Sequence, residues 1–102
     1  ASEMAFAGRI GLDLDLSDLP APESLDPMAA CFAESSGRYL LEVEKTELPN
    51  IARTLSGTVV PHAVIGTFAG HDRLTVKDAV GNHALDIALD LLRDAWLRPL
   101  DW

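Results

Sequence analysis

Cysteine is scarce in this sequence: Cys31 is the single one among 102 residues. One cysteine cannot form a disulfide within the chain, which is typical of proteins from a reducing compartment such as the cytoplasm. Cys31 lies between Ala30 and Phe32 in an apolar run. A small buried side chain is the more frequent role for such a cysteine, and a reactive thiol is the alternative. We therefore expect a cytoplasmic protein in which Cys31 is buried.

Long apolar runs and basic residues are scarce as well. No stretch reaches the roughly 18 consecutive apolar residues of a membrane helix. The opening ASEMAFAGR lacks the basic start and the apolar core of a signal peptide. Eight Lys and Arg residues against 16 Asp and Glu residues give a net charge of −8. Because nucleic-acid affinity comes mainly from basic residues that neutralise phosphates, we expect no nucleic-acid partner. Because long apolar runs are missing, we expect no membrane partner either.

The first half of the sequence has clear helix and strand signals. A helix ends at Gly8, and residues 10–16 alternate between apolar and polar side chains, which predicts a half-buried strand before Pro20. Asp26 is placed to cap a short helix that has Pro27 in its first position. Residues 38–44, RYLLEVE, are typical of a strand buried on both faces.

The second half predicts two helices and two further strands. The helix TELPNIARTLSG has Thr46 as its cap and Gly57 as its stop. Strands are expected at residues 63–68 and 73–76, joined by the turn GHD as an antiparallel hairpin. The last helix is expected from His83 to Pro99.

This order of elements predicts one α+β domain over residues 1–102. We expect a ferredoxin-like α/β sandwich: a mixed sheet of about four strands with the helices on one face. The strand, helix and strand between residues 38 and 68 should form a right-handed parallel crossover.

The usual catalytic and metal-binding motifs are missing from the sequence. His62, His71 and His83 have no metal-ligand spacing, and there is no Walker A, G-x-G-x-x-G or G-x-S-x-G motif. Asp13 and Asp15, with Asp18, offer carboxylates for a divalent cation. A solvated sheet edge explains the same alternation and is the more frequent case.

The segment ESSGR (Glu34–Arg38) is the best candidate site. Glu34 ends a helix, where a carboxylate is unfavourable. Ser35, Ser36 and Gly37 offer hydroxyls and backbone N–H groups of the kind that bind anions, and Arg38 adds a guanidinium fork. The alternative is a plain turn with Gly37 at positive φ.

Five stretches in the same order carry a resemblance to a known family: EMAFAG, GLDLDLSDLP, DPMAACFAESSGRYLLEVE, VIGTFAGHDRLTV and LLRDAW. They resemble the C-terminal end of the PurL-type synthetase subunits of phosphoribosylformylglycinamidine synthase, in its last AIR-synthase-type C-terminal domain. The family form F-S-E-S stands here as Phe32-Ala33-Glu34-Ser35. In that family a Gly-rich loop precedes EMAFAG, so its absence here predicts a truncated domain.

The resemblance implies a part in purine biosynthesis. The whole enzyme converts formylglycinamide ribonucleotide to its amidine with ATP, magnesium and ammonia that a glutaminase partner releases. The resemblance places the ATP-binding and magnesium-binding residues mostly in other domains of that enzyme. This piece would be inactive alone, without cofactors, and would supply scaffold and one wall of the substrate cleft. Glu34, Ser35, Ser36 and Arg38 would bind the ribonucleotide.

The remaining expectations concern partners. The rest of the synthetase chain and the glutaminase are the partners that the resemblance implies, and an isolated piece with uncovered apolar surface should self-associate. The alternative to the ligase fragment is a free-standing ferredoxin-like module that binds a small anion or a partner protein.

Overall fold

A computed structural model describes residues 1–20, 26–32 and 36–100 of the chain. Within these ranges no helix is long and apolar enough to cross a membrane. The elements, in chain order, are α1 (Ser2–Gly8), β1 (Gly11–Asp15), α2 (Pro27–Phe32), α3 (Leu48–Ser56), β2 (Gly66–Ala69), β3 (Arg73–Lys77), β4 (His83–Ala88), α4 (Leu89–Leu97) and a closing 3₁₀ turn (Arg98–Leu100).

The four strands form one mixed sheet in the order β2-β1-β3-β4. β1 pairs antiparallel with β2 and parallel with β3, and β3 pairs antiparallel with β4. Leu12 stands opposite Phe68 on one side and Leu74 on the other, so the apolar side chains of three strands share one face. The predicted α+β class with a mixed four-stranded sheet is confirmed.

The core lies between this apolar face and two helices. α1 and α4 pack against each other, and both contact the sheet. Phe6 and Trp96 bring their ring centroids within 6.2 Å across the helix pair. Among the described residues, the buried apolar side chains of this core are Ala5, Leu12, Leu74, Val76 and Leu89. Since α1 and α4 cover the same face, the other face of the sheet keeps its polar side chains in solvent.

The end of α1 differs from the prediction by one residue. Arg9, and not Gly8, has the left-handed backbone, with φ 51°. The N–H of Ile10 donates to the carbonyl of Ala5, and that of Arg9 donates to Phe6. These two bonds form a Schellman motif, which closes the helix and turns the chain into β1. The motif therefore places a non-glycine residue at positive φ.

The predicted hairpin between residues 63–68 and 73–76 is wrong, because β1 lies between β2 and β3. The connection at Gly70–Asp72 passes over the start of β1. A Cβ atom on Gly11 would lie 2.5 Å from the carbonyl oxygen of His71. Glycine at position 11 therefore allows this close crossing. A short GHD turn is compatible with either arrangement, so the sequence did not distinguish them.

The predicted start of the last helix is also wrong. Residues 83–88 form strand β4, and α4 begins at Leu89. β3 and β4 are the true hairpin, with a turn in which Asp78 Oδ1 accepts hydrogen bonds from the backbone N–H groups of Val80 and Asn82. Gly81 takes the positive φ that this turn needs, 86°. Pairing along β3 outweighs the helical spacing of the apolar residues.

The predicted strand at residues 38–44 and its parallel crossover do not form. Instead residues 36–65, which we call the arm, run outside the sheet. The arm is held at both ends: Arg38 Nη2 donates to the carbonyl of Pro20 at 3.0 Å, and Asp15 N–H donates to that of Ile65 at 2.8 Å. Its helix α3 begins at Leu48 after Glu47, rather than after Thr46. Strand propensity without a paired edge leaves the segment irregular.

Candidate functional site

The structure describes three residues of the ESSGR segment, Ser36 to Arg38. Glu34 and Ser35 lie outside the described residues. Ser36 and Gly37 form an exposed turn after α2, and Gly37 has φ 76°. This positive φ favours glycine at position 37. Ser36 is exposed to solvent. Their part in substrate binding stays a prediction.

Arg38 is the first described side chain of this segment with a specific contact. Its Nη2 donates to the carbonyl oxygen of Pro20 at 3.0 Å, and the residue is exposed. A guanidinium has five N–H donors in a planar fork. The contact with Pro20 therefore orients the fork and leaves other donors facing solvent.

A second polar group lies on the open face of the sheet, at the centre of β1. Asp13 Oδ1 accepts a hydrogen bond from Thr75 Oγ1 on β3, and Asp13 Oδ2 lies 3.0 Å from His71 Nε2. The N–H of Arg73 donates to His71 Nδ1 at 3.3 Å. Because Nδ1 accepts in this bond, Nε2 carries the proton and donates to Asp13. Strand β3 and the β2–β3 connection thus converge on one carboxylate of β1.

These contacts define what the carboxylate can do. The Thr75 hydroxyl, followed by the His71 N–H, holds the pKa of Asp13 below its usual value. On the same strand, the hydroxyl and backbone N–H of Ser17 lower the pKa of Asp15. The Thr75 hydroxyl donates to Asp13 and not to His71, so the imidazole does not activate it as a nucleophile. The cluster is suited to fixing the β2–β3 connection.

A shallow depression of about 320 Å³ lies beside this cluster. Its lining places the acidic Asp13 and Asp15 beside the basic Lys77. Among residues 1–20, 26–32 and 36–100, no group of three His, Cys, Asp or Glu side chains could hold a metal ion. The alternative of a cation held by Asp13, Asp15 and Asp18 therefore has no support in this geometry.

The contact between Asp13 and His71 is the feature that sequence reasoning missed. The two residues are 58 positions apart, and no local pattern links them. The position of β1 between β2 and β3 brings them together. The sequence instead predicted a direct β2–β3 hairpin, which leaves no place for β1 between these strands.

Cys31 is exposed, contrary to the prediction of burial. α2 does not take part in the extensive packing among the described elements, which involves the sheet, α1 and α4. The apolar neighbours of Cys31 therefore do not enclose it. Partial burial, with the negative charge of Asp26, raises the pKa of the thiol above its usual value. A raised pKa disfavours the nucleophilic thiolate.

Comparison with known proteins gives one family and a consistent set of relatives. Residues 1–79 match the family described as AIR synthase related protein, C-terminal domain. A phosphoribosylformylglycinamidine synthase subunit PurL of Rhodopseudomonas palustris (strain BisB18) is 39% identical over 97 residues, which are 94% of this chain and 12% of the relative. The subunit PurL of Thermoplasma acidophilum is 32% identical over 100 residues, 98% of this chain and 12% of the relative. That of Methanocaldococcus jannaschii is 33% identical over 95 residues, 93% of this chain and 13% of the relative.

These matches confirm the resemblance to PurL-type subunits over nearly the whole chain. No solved structure gave a significant match. The chain spans about an eighth of the length of the curated relatives it matches. Its matched part, residues 1–79, includes β1, β2 and β3, which form three of the four strands of the sheet. The chain belongs to the family of AIR synthase related proteins, C-terminal domain.

Proposed function

We propose that this chain acts as a part of the PurL-type synthetase subunit of phosphoribosylformylglycinamidine synthase. The observation that carries the proposal is the 39% identity to one such subunit over 94% of the chain. The proposed reaction is the amidation of formylglycinamide ribonucleotide in purine biosynthesis. ATP and glutamine-derived ammonia would be its co-substrates, and a glutaminase would be its partner.

Within that enzyme, this chain would provide scaffold and one wall of the substrate cleft. Magnesium and ATP would be held by other parts of the synthetase. The isolated chain would then have no ligase activity. The core that the described residues form is small, with five buried apolar side chains, which is consistent with a supporting role.

The ESSGR segment is our candidate for contact with the ribonucleotide. Ser36 and Arg38 flank Gly37 and are both exposed, and the contact with Pro20 orients the guanidinium. The substrate carries a phosphate, which an arginine fork binds through paired hydrogen bonds. Glu34 and Ser35 complete the proposed site by their sequence positions.

Steady-state kinetics of a complete synthetase that contains this sequence tests the role of Arg38. We expect Arg38→Ala to raise KM for the ribonucleotide about tenfold, the cost of one charge-assisted hydrogen bond, and to leave KM for ATP nearly unchanged. Arg53→Ala is the matched control, since Arg53 is an exposed arginine in the same arm.

Two results would contradict this assignment. If Arg38→Ala leaves both KM values unchanged, the segment is a structural turn. If Arg53→Ala raises KM for the ribonucleotide equally, the effect comes from the overall charge of the arm rather than from a site. A complete synthetase that lacks amidation activity altogether would contradict the proposed function itself.

A further inference from the structure

The loop that follows β1, residues 16–20, supplies the hydrogen-bond partner of Arg38. The carbonyl oxygen of Pro20 accepts from Arg38 Nη2 at 3.0 Å, although the two residues are 18 positions apart. The guanidinium is therefore oriented only as well as the loop holds this carbonyl. The contacts of the loop decide whether Arg38 is prepared for a ligand.

Two backbone hydrogen bonds hold the start of the loop against neighbouring segments. The N–H of Asp15 donates to the carbonyl of Ile65 at 2.8 Å, and the N–H of Leu16 donates to that of Lys77 at 3.0 Å. Since Lys77 is the last residue of β3, the second bond continues the parallel pairing of β1 with β3 by one residue. The loop therefore begins at a point that the sheet fixes.

Two further hydrogen bonds turn the loop. Asp15 Oδ1 accepts from the N–H of Ser17 at 3.0 Å, which forms an Asx turn. The N–H of Leu19 then donates to the carbonyl of Leu16 at 3.2 Å. Pro20 follows directly, and its ring fixes φ at about −65°. Among these bonds of the loop, the one that Asp15 Oδ1 accepts is made by a side chain, so a substitution can remove it.

The charge of Asp15 suits it to this contact. The Ser17 hydroxyl, followed by the Ser17 backbone N–H, holds the pKa of Asp15 below its usual value. The carboxylate is therefore ionised at neutral pH, and an ionised acceptor makes a stronger hydrogen bond than a neutral one. Asp18 lies in the same loop and is exposed as well, but it is Asp15 that accepts from Ser17.

We propose that Asp15 is a positioning residue for Arg38, because its carboxylate shapes the loop that holds the Pro20 carbonyl against the guanidinium. This role rests on the proposed function, in which Arg38 binds the phosphate of the ribonucleotide. A side chain that is ordered before binding loses less conformational entropy when the ligand arrives. Asp15 thus strengthens substrate binding through Arg38 without contacting the substrate.

Substitution of Asp15 in a complete synthetase that contains this sequence tests the proposal. Asp15→Ala removes the acceptor of the Ser17 N–H, so we expect KM for the ribonucleotide to rise about fourfold, which corresponds to the cost of ordering one long side chain. Its kcat and its KM for ATP should stay within about twofold of the parent values, because only phosphate binding changes. Asp15→Asn keeps a carbonyl oxygen that can accept the same bond, so its KM for the ribonucleotide should stay within about twofold of the parent value.

Asp18→Ala is the matched control. It removes one negative charge from the same loop but leaves the hydrogen bond between Ser17 and Asp15 in place. KM for the ribonucleotide should therefore stay within about twofold of the parent value, as is usual for a surface substitution. An equal rise for Asp18→Ala and Asp15→Ala would mean that the charge of the loop acts on the substrate, and would overturn the role of the hydrogen bond.

The double variant Asp15→Ala/Arg38→Ala separates positioning from a general effect on the fold. If Asp15 acts through Arg38, KM for the ribonucleotide in the double variant should equal that of Arg38→Ala alone, about tenfold above the parent value. Independent effects would multiply to about fortyfold, and this result would overturn the proposal.

Hydrogen–deuterium exchange of the same complete synthetase gives a readout that does not depend on catalysis. Asp15→Ala frees the Ser17 N–H, so the peptide that contains residues 16–20 should exchange faster, whereas Asp15→Asn should match the parent enzyme. Unchanged exchange of this peptide in Asp15→Ala would overturn the proposed contact. Faster exchange over β1 and β3 as well would mean that Asp15 supports the sheet rather than the loop, which would also overturn the proposal.

The kinetics distinguish failure of this proposal from failure of the proposed function. If Arg38→Ala raises KM for the ribonucleotide and Asp15→Ala does not, the role of Asp15 is overturned and that of Arg38 stands. If Arg38→Ala leaves this KM unchanged, the assignment of Arg38 to the substrate fails, and the positioning role of Asp15 fails with it.

Discussion

At the scale of single residues, Asp13 holds together parts of the chain that are distant in sequence. Thr75 is 62 positions away from Asp13 and His71 is 58 positions away, and both bind its carboxylate. The side chain is half exposed, so water screens these contacts and their value for stability is modest. Their value for geometry is larger, because they fix the connection that crosses the start of β1.

The lowered pKa of Asp13 predicts how stability depends on pH. An aspartate whose pKa in the folded chain lies below its unfolded value of about 3.9 stabilises the fold above that value. This stabilisation is lost as pH falls through the folded pKa. Urea denaturation should therefore give midpoints that decrease as pH falls below about 4, and Asp13→Asn should weaken this decrease.

Thr75→Val serves as the second variant, because it removes the hydroxyl that contributes most to the lowered pKa of Asp13. It should weaken the acid dependence in the same direction as Asp13→Asn. Ser17 keeps the pKa of Asp15 low in both variants, so part of the dependence should remain. Identical acid dependence in the parent chain and both variants would contradict the role of this cluster.

At the scale of elements, the β2–β3 connection depends on the absence of a side chain at Gly11. A Cβ atom there would meet both the backbone and the ring of His71. Gly11→Ala should lower the free energy of unfolding by about 2 kcal/mol, as expected for overpacking at a tight contact. Chemical denaturation monitored by tryptophan fluorescence would measure this loss.

Gly70→Ala is the control for that measurement. Gly70 lies in the same connection, but a Cβ atom there would have no neighbour within 4 Å, and its φ is not positive. The substitution should change the free energy of unfolding by less than about 0.5 kcal/mol. Equal losses for Gly11→Ala and Gly70→Ala would mean that the connection does not cross β1 closely.

The elements also show which parts of the fold could be predicted from sequence. The strict alternation of β1 and the cap signals around α2 and α3 gave the right elements, within one or two residues. β4 was missed because Leu85, Ala88, Leu89 and Trp96 also fit a helical stripe, and only the pairing with β3 decides between the two. Residues 38–44 have the composition of a strand, but a strand needs a partner edge, which local sequence does not show.

At the scale of the whole molecule, the fold extends beyond the part that matches the family. The match ends at residue 79, whereas β4 pairs with β3 and Leu89 of α4 belongs to the core. The mixed sheet with helices on one face was predicted correctly. The candidate site was predicted only as a segment, because side-chain contacts such as that of Arg38 with Pro20 depend on the path of the folded chain.

A chain that ends at residue 79 should therefore not fold. Such a truncation uncovers the apolar side chains of Leu74 and Val76 and removes the helix that packs on α1. We expect its circular dichroism to show no cooperative thermal transition, whereas the 102-residue chain should show one. A cooperative transition in the shorter chain would mean that the family match alone marks an independent folding unit.

The central position of β1 has a consequence for the order of folding during synthesis. β1 is made first, yet its two neighbours, β2 and β3, begin at Gly66 and Arg73. Both edges of β1 therefore remain unpaired until residues 16–65 have been synthesised. Contacts between residues so distant in sequence form slowly, and an unpaired apolar strand is an aggregation hazard in the meantime. Asp13 and Asp15 alternate with the apolar residues of β1. Their negative charge disfavours aggregation of the nascent strand until β2 and β3 pair with it.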